Sequence, residues 1–363
     1  MKVLFITNVP SPYRVDFFNE IGKYVDLTVL FERNNAKSRN DEWMSNNFKN
    51  FKYHFLKGIE YGDDAVISFE VKKYLKDKYD IVLFGNYHTI NSVISSRYCI
   101  KHKIPYGLSI DGIFKHENEN KFKLKLKRKM FSNSEFLVTT GDYSVDVNKY
   151  YGGMNNYIYP FTSIHSSYVI DKPITIEEKT KLKEKLGLKE KTILFVGQFV
   201  HRKGIDLLFQ IYSKLEEYEL VMIGGNLSDE YIKLKESMDL NIKTISFLDK
   251  KSLEEYYLAS DVFLLPTRED QWGLVINEAL AKGLPVVSSN MCLACHEMLA
   301  GCGEMVDVLD IDKYVDCIKN ILTLPYDKYY EMQTNAINIS KEYTIEKMAK
   351  RHLEIFEDVI SKR

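Results

Sequence analysis

Two carboxylates, Asp270 and Glu278, stand with seven residues between them and flank a Trp272–Gly273 turn. One belongs to a loop and the other to the second turn of the helix that follows, so both can reach one crevice. The amides of Gly273, Leu274 and Val275, at the start of that helix, would face an anion there. A second set lies upstream, where Gln198, His201, Arg202 and Lys203 precede Gly204. Arg and Lys at a strand-to-helix turn are placed to neutralise a diphosphate, reinforced by the positive end of the helix. The elements that must hold these groups are legible. Residues 262–265 form a short apolar run that Pro266 ends by removing a backbone donor. Leu274, Val275, Ala279 and Leu280 recur at helical spacing, Gly283 and Pro285 stop the helix, and Val286 and Val287 begin another buried strand. Upstream, residues 192–196 read as a strand and Gly204 opens a helix. In open parallel sheets the crevice beyond the carboxyl ends of the strands is where ligands bind. The plainer alternatives are a solvated acidic loop and a basic surface turn; the strand, the aromatic-Gly turn and the Gly-Leu-Pro-Val-Val run weigh against them.

The loop and helix resemble the signature of the family 4 retaining glycosyltransferases, in which two acids with seven residues between flank a Gly-aromatic-Gly turn. The usual pattern is Glu-Gly-Phe-Gly with a second Glu eight positions on. This chain has Asp270-Gln271-Trp272-Gly273 and then Glu278, with Glu269 one position out of register. The resemblance implies a GT-B fold, α/β, with two Rossmann-like domains facing across a cleft. The expected division is an acceptor-binding domain over 1–168, a nucleotide-sugar-binding domain over 169–343, and a helix over 344–363 that crosses back to the first domain. It also implies that the first acid, Asp270, binds donor-sugar hydroxyls and that Glu278 binds the ribose hydroxyls of the nucleotide. In the family's basic loop an Arg and a Lys grip the pyrophosphate. Lys203 matches that Lys, whereas Gln198 stands where the Arg is usual, leaving Arg202 to supply the charge from another direction. Gly225, after the apolar residues 220–223, fits the family's Gly turn, where backbone approaches the ligand closely. Leu248 lies where the base meets backbone, with Asp249 in place of the usual Gly.

The implied reaction moves a hexose from a nucleotide diphosphate sugar, UDP-sugar favoured, to a hydroxyl of a glycan or lipid-linked saccharide, with retention. Surface polysaccharide assembly would be its setting. Cationic side chains and helix amides stabilise the leaving diphosphate, so neither a metal nor another cofactor is expected. Asp270, Lys203 and Asp111 are the expected catalytic residues, Asp111 because members place a His at its position; the alternative for Asp111 is a turn-forming Asp-Gly. In the first half, residues 2–7, 15–24 and 27–31 read as a β-α-β unit whose loop, residues 8–14, lacks the glycine-rich dinucleotide fingerprint. Similar Ser-Pro-Tyr-Arg loops in bacterial members face the interdomain cleft, which makes Tyr13 and Arg14 acceptor or cleft residues, with a rigid turn and a surface Arg as the alternative. His88, after a strand at residues 81–84, is a further cleft candidate. More strands are expected at 106–110 and 135–139, and the charged stretch 171–191 reads as the approach to the second domain.

Lys plus Arg total 50 against 51 Asp plus Glu, a net charge of -1, which argues against a dedicated nucleic-acid binder. The opening apolar run is too short for a signal peptide and no stretch is long enough to span a membrane, so a cytoplasmic protein is expected. Five cysteines, an odd number, suit reduced thiols. Cys292, Cys295 and His296 have haem-attachment spacing, with Cys302 near enough to suggest zinc, but the context of an exported protein is missing and no metal is assigned. Asp310-Ile311-Asp312 reads as a solvated turn. Residues 121–130 alternate like a strand, yet Phe122, Leu126 and Met130 also form a helical stripe beside six basic residues. A basic amphipathic helix suits the anionic inner face of a membrane; a solvated basic face over one core face is the alternative. Two other functions stay open: a nucleotide-sugar epimerase, and an inactive nucleotide-binding scaffold favoured by the departures at Asp270, Gln198 and Asp111.

Overall fold

The computed structural model describes residues 1–35, 45–62, 64–115 and 119–363, and it divides into two compact units, residues 1–163 with 344–363 and residues 164–343. The passage between units falls at Ser163–Ile164, five residues before the boundary read from the sequence.

The first unit opens with β1 (Lys2–Thr7), α1 (Pro12–Ile21), β2 (Asp26–Phe31), β3 (Lys52–Phe55) and a hairpin of β4 (Ile59–Tyr61) and β5 (Ala65–Ile67). There follow α2 (Val71–Tyr74), β6 (Ile81–Phe84), α3 (Ile90–His102), β7 (Gly107–Ile110), α4 (Lys121–Ser132), β8 (Phe136–Thr139), α5 (Asp142–Tyr150) and β9 (Asn156–Ile158). Among the described residues, seven strands form one parallel sheet in the order β3-β2-β1-β6-β7-β8-β9. The central strands are buried on both faces, which is why they read as continuous apolar runs rather than alternating ones. The order reverses between β1 and β6, so their carboxyl ends frame a crevice.

Three local readings change here. Helix α1 begins at Pro12 rather than Val15, because Pro at the first helical position needs no amide partner; Tyr13 and Arg14 therefore lie in a first helical turn and not in a loop. Residues 121–132 are helical, capped by Asn120, whose side chain accepts from the amides of Phe122 and Lys123 at 2.9 and 3.3 Å. On α4 the expected stripe splits: Met130 is buried and Phe122 exposed, beside exposed Lys121, Lys123, Lys125, Arg128 and Lys129. Lys127 is withdrawn from that face, paired with Glu119 at 2.5 Å and set 4.0 Å from the ring centre of Tyr151.

The second unit contains α6 (Ile176–Leu186), β10 (Thr192–Val196), α7 (Ile205–Tyr212), β11 (Glu219–Ile223), α8 (Asp229–Ser237), β12 (Lys243–Ile245) and α9 (Lys250–Ala259). It continues with β13 (Val262–Leu265), α10 (Leu274–Ala281), β14 (Val286–Ser289), α11 (Leu293–Met298), β15 (Gly303–Val306), α12 (Ile311–Leu322) and α13 (Tyr326–Ser340). Its six strands are parallel in the order β12-β11-β10-β13-β14-β15, with the reversal at β10 and β13. The stretch read as an approach to this unit is largely α6, opened by a capping box of Thr175 and Glu178. It lacks an apolar stripe because it docks through Lys179 and Lys183, which pair with the two oxygens of buried Asp261 at 2.8 and 2.5 Å. Asp249 caps α9, its Oδ1 accepting from the amides of Lys251 and Ser252 at 3.0 Å each. Asp310 likewise caps α12 rather than standing in a free turn.

The last helix, α14 (Ile345–Ser361), belongs to the first unit and packs on α1. Between them His352 is fully buried, its ring centre 4.6 Å from that of Phe17 and 4.5 Å from that of Tyr159. Burial pushes its imidazole down to about 3, so it is neutral in the core, and its Nδ1–H donates to the Met348 carbonyl at 2.8 Å. Among the described residues no helix is long and apolar enough to cross a membrane.

Candidate functional site

In the second unit the carboxyl ends of β10 and β13 bring two loops together. After β10, the short helical turn His201–Lys203 delivers Lys203, and Gly204 reverses the chain into α7 with φ 72°. A side chain at Gly204 would place its Cβ 2.0 Å from the Pro266 carbonyl oxygen, so glycine is what allows the two loops to touch. Across that contact the Arg268 amide and the Thr267 hydroxyl donate to the Arg202 carbonyl, both at 2.9 Å. Arg268 forks onto Asp206 of α7 at 2.7 and 2.6 Å. Burial alone favours the neutral acid, but the guanidinium holds the Asp206 carboxyl below its ordinary value. The loops are thus cross-braced before any ligand arrives.

Within this frame Lys203 Nζ pairs with Asp270 Oδ2, both side chains being 15% exposed or less. Arg202, expected to supply a second phosphate charge, is exposed and donates from Nη1 to the Glu269 carbonyl at 2.8 Å. Gln198 is also exposed. Asp270 is fixed through its backbone by the segment after β14, its amide donating to the Met291 carbonyl at 2.8 Å and its carbonyl accepting from Leu293 at 3.2 Å. The Trp272 indole is buried and donates to Asn277 Oδ1 at 2.9 Å, tying the aromatic turn to the helix it precedes. Gly273 has φ 92°, and a Cβ there would stand 2.5 Å from Cys292 Sγ. First-turn amides of α10, at Leu274 and Val275, have no acceptor within the helix. Glu278, one turn further, accepts from the Tyr257 hydroxyl at 2.9 Å. Gly224 and Gly225 follow β11 with φ 133° and 151°; no atom lies within 4 Å of a Cβ placed at Gly225, whereas one at Gly224 would strike the Gly197 carbonyl. Leu248 is half-buried beside exposed Phe247.

The first-unit candidates form their own cluster. Asp111, just after β7, accepts from Arg14 Nη2 at 2.6 Å and the Tyr13 hydroxyl at 3.2 Å on one oxygen, and from the Tyr159 hydroxyl at 2.9 Å on the other. Arg14 is 3% exposed and Asp111 half-buried, so a buried guanidinium is paired with a part-buried carboxylate. Tyr13 and Arg14 are therefore brought to Asp111, while His88 lies apart on the surface, edge-on to Tyr87.

Three contributors carry no local sequence signal: Tyr257, Tyr159 and Asp206. Arg268 could have been noticed, since a cation two residues before Asp270 needs a partner. The Cys292–His296 segment forms no metal set; Cys292 Sγ donates to the Trp272 carbonyl at 2.9 Å and burial pushes its thiol up. All five cysteines are buried free thiols, and among the described residues no three His, Cys, Asp or Glu side chains gather as metal ligands would.

This loop arrangement falls inside a recognisable region. Residues 177–342 match the family described as glycosyl transferases group 1. A 41.2 kDa protein in the cps region of Klebsiella pneumoniae is 30% identical over 157 residues, 42% of this chain and 43% of that one. A glycosyltransferase of Haemophilus influenzae is 27% identical over 187 residues, 49% of this chain and 52% of that one. The chain thus spans about half the length of these relatives. Among solved structures, Anabaena HepE in complex with UDP has a TM-score of 0.77 at 14% identity, covering 99% of this chain and 100% of that one, which shows the fold. The family match thus covers residues 177–342, just under half of the chain, and the chain as a whole has the GT-B fold.

Proposed function

We propose that this chain is a retaining hexosyltransferase that moves a sugar from a nucleotide diphosphate donor, UDP-sugar favoured, to a hydroxyl of a glycan or lipid-linked saccharide in surface polysaccharide assembly. The observation that carries the reading is the largely shielded pairing of Lys203 with Asp270 at the β10 and β13 loop ends, with Glu278 one helical turn beyond the first-turn amides of α10. Without donor, Asp270 neutralises Lys203. An incoming diphosphate takes over the ammonium, supported by the α10 amides, and Asp270 turns to the sugar hydroxyls while Glu278 takes the ribose hydroxyls. The charge that develops on the departing diphosphate then meets a cation already in place, so little reorganisation is needed at the moment of transfer. The UDP preference draws on the fold neighbour bound to UDP, and the polysaccharide setting on the relative in a cps region.

A thermal-shift panel of nucleotide sugars tests this. One donor is expected to raise the melting temperature of the wild type and to lose that effect in Glu278→Ala, because a ligand stabilises only the state it binds. Stabilisation by no donor would sink the reading. The same reading places the chain on the inner face of a membrane through the exposed cations of α4 and Phe122. Sedimentation with anionic vesicles, and not with neutral ones, is the expected result; equal recovery from both would remove this part.

A further inference from the structure

Helix α9 contributes nothing to the family signature, yet it reaches Glu278. Tyr257 is 1% exposed, its ring packs 6.0 Å from that of Phe263 in β13, and its hydroxyl donates to Glu278 Oε2 at 2.9 Å. One turn earlier on α9, Glu254 pairs with Lys282 at 2.5 Å, and Lys282 caps the end of α10, one turn beyond Glu278. Lys282 Nζ also donates to the Tyr168 carbonyl at 2.5 Å and sits 3.7 Å from the Tyr168 ring centre. Two contacts, one at Glu278 within α10 and one at Lys282 at its end, therefore tie α10 to α9. Only the Tyr257 contact ends on the carboxylate assigned to the nucleotide.

We propose that Tyr257 is a positioning residue: its hydroxyl aims the Glu278 carboxylate for the ribose diol of the donor, so that α9 sets nucleotide affinity without touching the nucleotide. This rests on the reading of Glu278 as the ribose-binding acid. The physical basis is rotameric. A Glu side chain has three rotatable bonds and loses considerable freedom when ordered, and a buried, rigid phenol that binds one oxygen removes that freedom before the ligand arrives. The Glu254–Lys282 contact keeps the backbone in place when the hydroxyl is removed, so the two contributions can be separated.

The test uses the full-length protein and the nucleotide sugar that stabilises the wild type in the panel above. Its affinity is measured by titration calorimetry for wild type, Tyr257→Phe, Glu278→Ala and the double variant, alongside steady-state turnover. Tyr257→Phe keeps the packed ring and is expected to weaken donor binding about tenfold, as for loss of a hydrogen bond to a charged group. KM should rise while kcat is retained, and the double variant should bind no worse than Glu278→Ala alone. Unchanged affinity in Tyr257→Phe, or a loss that adds in full to that of Glu278→Ala, would overturn the positioning role. If Glu278→Ala itself binds donor normally, or the wild type binds none, the functional reading fails and takes this inference with it.

Discussion

Lys203→Ala is expected to lower kcat/KM for the donor on the order of a thousandfold, the scale of removing one preorganised charge from the place where negative charge develops. The basis is geometric. Lys203 is held between two braced loops, its Nζ on Asp270, and both side chains are largely shielded from water, so the interaction with a diphosphate is little screened. Lys203→Arg keeps the charge but replaces a compact ammonium by a planar fork in a space set by the Gly204–Pro266 contact, and recovers only part of the activity. A fall in kcat and kcat/KM together assigns the residue to the transition state, whereas a rise in KM alone assigns it to ground-state binding. Steady-state kinetics of the three proteins decides, and undiminished turnover in Lys203→Ala would remove Lys203 from the chemistry.

Asp111→Ala is expected to destabilise the first unit by about 3 kcal/mol or more, because it leaves the Arg14 guanidinium buried with no counter-charge. Both Asp111 oxygens are engaged, by Arg14 and Tyr13 on one side and Tyr159 on the other, an arrangement that anchors α1 and the segment after β9 to the end of β7. Urea unfolding read by hydrogen exchange in β7 and β8 measures the loss in the unit concerned. Replacing the pair together, as Arg14→Met with Asp111→Leu, should restore much of the stability, since what costs most is the unpaired charge and not the absence of the pair. An Asp111→Ala protein that unfolds like the wild type but no longer turns over would refute the anchoring role and put Asp111 in the reaction.

The sequence made the framework legible and hid the bracing. Residues 81–84, 192–196 and 262–265 were read as strands and are strands, because a parallel strand covered on both faces leaves an unbroken apolar run. Helix α6 was hidden for the opposite reason: it docks through two lysines on Asp261, and a charged contact leaves no apolar period to find. The acidic loop and the basic loop were visible because their residues are neighbours in the chain. Their supports are not: Tyr257 lies 21 residues from Glu278, Tyr159 lies 48 from Asp111, and Asp206 lies 62 from Arg268. A long-range hydrogen bond has no local period or composition, so only the folded arrangement reveals it.

The return of α14 to the first unit has a consequence for biosynthesis. Helix α1 is made before the second unit, but the helix that covers it, with buried His352 against Phe17 and Tyr159, is made only after the whole second unit. The second unit is continuous in the chain and can close as it leaves the ribosome. The first unit must wait with an apolar face of α1 uncovered until residues 345–361 emerge, so of the two units the one begun earlier finishes folding later.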